Sequence, residues 1–346
     1  MIASMSFVRR RSLVAALVVV GLAAAPSLHA QTPAEIQSAL DAALAKYKDL
    51  KEGKNADYIP ALAKVDSNIY GIALVTPDGK VYTAGDLKSE VSIKSISKVF
   101  TMAKVAEESG FDAIVRTIGV DATGMRFNSI VSIEFAKKNL GGPEMNALVN
   151  PGAIAATSMV KGATRDEVWK SILSYYSDFA GRPLSVNQEV FKSEADTNQR
   201  NQAIGYLMYA YGYIKANPLQ ATDVYTEQCS VSVNAKDLAT MAATLSNGGK
   251  NPVTGKQAMK AEYVPKVLAV MATAGLYDDS GKWLFRTGLP GKSGVGGGLI
   301  AVSPGKFGIA VVAPPLDDAG NSVKAQKAIA DISNALGGNP LSAKAR

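Results

Sequence analysis

The sequence predicts an α+β fold, an αβα sandwich in which one antiparallel sheet is flanked by helices and a mostly helical subdomain is inserted between its strands. Three observations carry this: a hairpin pattern spans 69–84, a second spans 297–313, and the long stretch between them reads as helices. A lone two-stranded hairpin is marginal in water, so the two ends of the chain are expected to share one sheet.

The elements follow in chain order. Ser6 to Arg11 is basic, and Leu13 to Ala25 is an apolar run too short to span a bilayer comfortably. With Ala30 closing Ser27-Leu28-His29-Ala30, residues 1–30 read as a cleaved export signal. The expectation is a periplasmic or secreted protein with no stable membrane association after cleavage. Residues 31–346 then form a single domain, sheet-bearing over 54–110 and 225–346 and helical over 111–224. From 33 to 53, Ile36, Leu40, Ala43, Leu44 and Tyr47 recur at helical spacing. Residues 69–75 and 80–84 flank the turn Pro77-Asp78-Gly79. A helix over 95–109 stops at Gly110. In the helical middle, Ser193 and Asp196 resemble a capping box ahead of the apolar run 203–214. A helix over 235–246 ends at Gly248-Gly249, strands over 297–302 and 307–313 meet at Pro304-Gly305, and a last helix covers 322–336.

Composition removes several function classes. The chain has 346 residues, 47% of them hydrophobic and 19% charged, with a formal net charge of +7. Arg9, Arg10 and Arg11 supply three of those positive charges, and acids are interspersed through the rest, so a mildly basic surface is expected rather than nucleic-acid binding. Cys229 and His29 are the single cysteine and the single histidine. An intramolecular disulfide and a Cys/His metal site are therefore excluded, and so is a histidine-based triad once the leader is gone.

A serine nucleophile must then find another base. Ser95 and Lys98 fall one turn apart on one helix face, where a lysine that has lost its proton can deprotonate the serine. Burial, a second cation and the positive end of the helix all favour that loss. The Ser95 amide, free at the helix start, suits half an oxyanion hole. The spacing alone is common, since Ser158 with Lys161 and Ser303 with Lys306 repeat it. A second element singles out the first pair: Lys292-Ser293-Gly294-Val295-Gly296-Gly297-Gly298 runs into an apolar strand. A phosphate loop fails there, because Arg286 stands where its first glycine is needed and a strand follows instead of a helix. Lys-Ser-Gly on an edge strand beside a Ser-x-x-Lys helix resembles serine acyl-transferases of the penicillin-recognising type, with the Val295 amide completing the oxyanion hole.

Further segments join these two. Ser92-Ile93-Lys94-Ser95-Ile96-Ser97-Lys98, Phe127-Asn128-Ser129, Asn150 with Gly152-Ala153-Ile154, Ser193-Glu194, Arg200-Asn201, Tyr225 with Gln228-Cys229-Ser230, Asn247-Gly248-Gly249 and Lys292 to Gly298 together resemble the serine-dependent glutaminase family, in order, over about 57–336. Pro151 departs from the pattern, which usually has a small residue there. The resemblance implies a β-lactamase/DD-peptidase-like fold and hydrolysis of L-glutamine to L-glutamate and ammonia without a cofactor or metal. It also implies a small-molecule substrate and a homodimer or homotetramer. It casts Ser95 as nucleophile, Lys98 as base, and Tyr225 and Tyr277 as pocket tyrosines, one of which relays a proton. Tyr58, Asn150, Glu194 and Asn201 are cast as substrate-holding groups and Val295 as a backbone contact, with Asn150 preferred to Asn146 because it directly precedes the Gly-Ala-Ile segment. Glu194 and Asn201 lie seven residues apart and are expected to share one helix face. The rival readings are a β-lactamase or penicillin-binding-type hydrolase and an exported amino-acid binding protein without turnover. Cys229 reads as a small buried hydrophobe.

Overall fold

The structure, a computed structural model, describes residues 31–139, 142 and 144–342. Residues 1–30, expected to be an export signal, lie outside the described residues. Among them the strands are β1 Gly71–Val75, β2 Val81–Gly85, β3 Val91–Ser92, β4 Ser232–Val233, β5 Gly291–Ser293, β6 Gly298–Ser303 and β7 Phe307–Val312. Five form one antiparallel sheet in the order β2-β1-β7-β6-β5, so the two ends of the chain do share a sheet. Val75 opposes Val81 within the first hairpin and Gly308 across the junction between the ends. β3 and β4 pair separately as a short ribbon.

Side chains alternate across a strand, and here both sets are apolar because both faces are covered. Ile72, Leu74, Leu299, Ala301, Ile309 and Val311 pack with Leu40, Ile329 and Ile332 of the helices Pro33–Tyr47 and Val323–Ala335. The alternate residues Ala73, Val75, Ile300, Val302, Ala310 and Val312 join the larger core that Leu238 and Met241 of the helix Ala235–Ser246 enter. That helix crosses β7 closely: a Cβ on Gly308 would stand 2.0 Å from the Ala243 amide nitrogen. Only glycine admits the contact.

Several expectations need correction. The first helix ends at Tyr47, since the residues from Lys48 to Gly53 supply no further apolar face except Leu50. Helices Val264–Ala274 and Ser280–Thr287 lie within the part, 225–346, expected to bear the sheet, in a stretch to which the sequence reading gave no element. The capping box at Ser193 and Asp196 does not form. Ser193 lies inside the helix Gln188–Ala195, where its hydroxyl accepts from the Ala61 amide at 3.1 Å, and Asp196 is that helix's C-cap. The next helix, Gln199–Ala210, follows Asn198, whose side-chain amide is spent on Thr226 at 3.1 Å. The helix Pro218–Cys229 runs across the subdomain boundary set at 224.

Candidate active site

The site is built where the β3–β4 ribbon hands the chain to a helix beside the sheet edge. The Ile93 amide donates to the Val231 carbonyl at 2.8 Å, and the chain then enters a 3-10 turn, Lys94–Ile96, ahead of the helix Ser97–Ser109. Ser95 therefore sits on a tighter turn than the α-helix expected from 95. Lys98 still follows one turn later. Among the described residues the non-glycine positions with positive φ are Lys94 at +46° and Tyr277 at +59°. Such backbone costs on the order of 1–3 kcal/mol per residue and persists only where the surroundings over-determine it. Tyr277 makes a polar contact with Ser95, and Lys94 directly precedes it.

Lys98 is completely buried. Burial lowers its pKa to about 8, the dominant effect over the nearby Cys229 and Glu194, which pull the other way. Its Nζ donates to Asn150 Oδ1 at 2.6 Å, and the Tyr225 hydroxyl donates to the same oxygen at 3.1 Å. Asn150 Nδ2 in turn donates to Asn201 Oδ1 at 2.9 Å. Both amide ends are thereby assigned, and the chain Lys98–Asn150–Asn201 links the buried lysine to the pocket wall. Asn150 opens the helix Asn150–Met159, with Pro151 in its first turn, where the missing N–H has no intrahelical partner to lose. The departure at Pro151 is thus compatible with the site. Asn146 is used elsewhere, donating to the Asp121 carbonyl at 2.7 Å.

Lys292 lies on β5, the edge strand, with its ammonium donating to the Gly275 and Ser293 carbonyls at 2.8 Å each and standing 4.1 Å from the Tyr277 ring centroid. Burial, and secondarily the Lys98 charge, hold its pKa well below the ordinary lysine range. After β5, Gly294 packs so close to the Lys94–Ile96 turn that a Cβ there would stand 2.7 Å from the Ile93 carbonyl oxygen and 3.3 Å from the Ser95 amide nitrogen. Among the described residues, neither the Ser95 nor the Val295 amide donates to another protein group. Both residues border the same cavity, so the two N–H groups are unspent at its wall.

A cavity of about 100 Å³ opens onto Ser95 and is lined also by Tyr58, Lys94, Asn150, Glu194, Asn201, Tyr225 and Val295. Two larger depressions differ in kind: one of about 530 Å³ near Arg182 is lined by Ser174, Ser177, Lys170 and Lys256, but both lysines are exposed and so stay solvated cations, and one of about 550 Å³ near Arg126 holds Ser129 with arginines alone. Of the residues that the resemblance casts in the site, all but Lys98 and Tyr277 line the small cavity. Lys98 lies behind Ser95, and Tyr277 is buried, its hydroxyl donating to the Ser293 carbonyl at 3.4 Å. Burial raises the pKa of both Tyr225 and Tyr277 above the phenol range, so both are proton donors at neutral pH. Glu194 and Asn201 do not share a helix face: one ends the helix Gln188–Ala195 and the other begins Gln199–Ala210. They meet on one cavity wall across the interruption between those helices, Asp196 to Asn198. Sequence reasoning assigned no role to Lys94, Phe127, Asn128 or Arg200, which also line the cavity. For Lys94 the signal was a lone cation in an otherwise uncharged run from Val91 to Ser97. Cys229 is buried at the wall, its Sγ 3.7 Å from Ser97 Oγ and its pKa pushed up to about 11 by burial.

Residues 53–339 match a family described as Glutaminase. A protein named Glutaminase from Colwellia psychrerythraea is 52% identical over 304 residues, covering 88% of this chain and 96% of that one. One of the same name from Brucella canis is 48% identical over 304 residues, 88% of this chain and 95% of its own. A solved structure described as probable glutaminase ybaS superposes with a TM-score of 0.88 at 44% identity, covering 90% of this chain and all of that one.

Proposed function

The chain belongs to the glutaminase family, has that family's β-lactamase-like fold and hydrolyses L-glutamine to L-glutamate and ammonia; from that premise we propose an acyl-serine route on Ser95 with Lys98 as its base. The carrying observation is the fully buried Lys98, its pKa lowered to about 8, one turn behind a pocket-lining serine. Neutral Lys98 takes the Ser95 hydroxyl proton as Oγ attacks the side-chain carbonyl carbon. The oxygen that gains charge is held by the Ser95 and Val295 amides. Collapse of the tetrahedral adduct breaks the C–N bond, and the departing nitrogen takes a proton from the protonated Lys98 or through a tyrosine that Lys98 re-protonates. Water then attacks the ester as the same base takes its proton, the bond between the acyl carbon and Ser95 Oγ breaks, Lys98 returns the proton to Oγ, and glutamate leaves.

Substrate holding divides between two sides of the cavity. Glu194 supplies a carboxylate for the α-ammonium, Asn150 and Asn201 form an amide pair that can donate to or accept from the amino-acid end, and Tyr58 covers the mouth. Release of equimolar ammonia and L-glutamate from L-glutamine by the purified protein tests this reading against a binding protein, which would saturate without product. We further propose that residues 1–30 are removed on export, leaving a mature N-terminus near Gln31. Mass spectrometry of protein recovered from the periplasm or medium tests this, and an intact Met1 there would contradict it.

A further inference from the structure

The route above leaves one pocket lysine unused. Lys94 is 2% exposed, lines the cavity, and places its Nζ 2.6 Å from Glu194 Oε2. We propose that Lys94 is a specificity-determining residue that binds the substrate's α-carboxylate beside the Glu194 that binds its α-ammonium. The inference rests on that reading of Glu194 and names the other half of the same subsite.

Three features support it. The α-ammonium and α-carboxylate share one carbon, so their protein partners must be neighbours of opposite charge, and Lys94 and Glu194 are in contact. An ammonium has three donors, and among the described residues only one of those on Lys94 is spent, leaving two for a ligand. Finally, a zwitterion laid against this pair meets a complementary charge at each end and buries no net charge, whereas a buried ion facing no partner is strongly unfavourable. The other cations nearby are otherwise placed. Arg200 is exposed and its Nε donates to the Asn128 carbonyl at 3.1 Å, while Lys98 is turned to Asn150 behind the nucleophile. The left-handed backbone at Lys94 directs a long cation into a space where a charged side chain would ordinarily turn to water.

The test compares kcat/KM for L-glutamine, for L-glutamine α-amide, which lacks the carboxylate charge, and for glutaramic acid, the monoamide of glutaric acid, which lacks the α-amine. The wild type should prefer glutamine to its α-amide by about 30-fold or more. Lys94→Gln should remove most of that preference by slowing glutamine while leaving the α-amide within about threefold, since the contact is already absent there. Lys94→Met should do the same, and circular dichroism confirms that each variant is folded. A wild-type preference below about threefold overturns the proposal even if neither variant folds, and so does an equal slowing of both substrates by Lys94→Gln, which would make Lys94 a support for Glu194 alone. Loss of the Glu194 reading shows separately, as indifference of the wild type to the missing α-amine.

Discussion

The acidity of Lys98 makes a quantitative claim on the rate. With a pKa of about 8 in the free enzyme, the neutral base is about 1% of the population at pH 6, about 9% at pH 7 and about half at pH 8. If neutral Lys98 accepts the Ser95 proton, kcat/KM for L-glutamine should rise about fifty-fold from pH 6 to pH 8, nearly tenfold of it in the first unit. This window lies below that in which the substrate's own α-ammonium titrates. Tyr225 and Tyr277 are raised above the phenol range and Cys229 to about 11, so none of them bends the profile here. Initial rates of ammonia release at subsaturating glutamine, in overlapping buffers of constant ionic strength, read the slope directly. A change of less than about threefold between pH 6 and pH 8 would refute Lys98 as the titrating base.

Three further outcomes follow from the same geometry. Lys98→Met should abolish turnover yet stabilise the protein at pH 7 by about 1–3 kcal/mol in urea titrations, because a buried lysine with a depressed pKa binds fewer protons folded than unfolded; the gain should shrink as pH rises from 8 toward 10.5, and a gain that grows with pH would be the wrong sign. Glu194→Gln should cost about 2–4 kcal/mol of transition-state binding for glutamine and far less for the substrate without an α-amine; equal losses on both would make Glu194 structural. Diethyl pyrocarbonate, at doses selective for histidine, should leave the processed enzyme active, and a loss reversed by hydroxylamine would implicate a retained His29.

What was legible in the chain was whatever depends on local periodicity. Ser95 and Lys98 share a face because residues three apart do so in either kind of turn, and so the pairing survives the 3-10 geometry that the sequence does not announce. The sheet was legible from its hairpins, and its continuous apolar runs reflect cover on both faces. Glu194 and Asn201 were expected in one pocket through helical spacing, and they meet there through a helix break instead. No glycine or proline marks that break, and Asn198 is held by a tertiary bond to Thr226, which spacing does not reveal. The helices at 264–274 and 280–287 went unassigned: the first is a short valine-rich apolar run that fits strand and helix alike, and the second is eight residues with Gly281 inside it. Lys94 was passed over for a related reason: a charged side chain is ordinarily solvated, and only the fold shows this one buried against Glu194.

The central claim is a covalent γ-glutamyl ester on Ser95. Acid-quenching the enzyme during steady-state turnover of L-glutamine and mapping its peptides by mass spectrometry tests this most directly. The account predicts one added γ-glutamyl group on the peptide carrying Ser95, discharged to γ-glutamyl hydroxamate when hydroxylamine is present during turnover, and absent from a folded, inactive Ser95→Ala variant. The same group on Cys229, or a Ser95→Ala variant that keeps more than a few per cent of the wild-type rate, would contradict it.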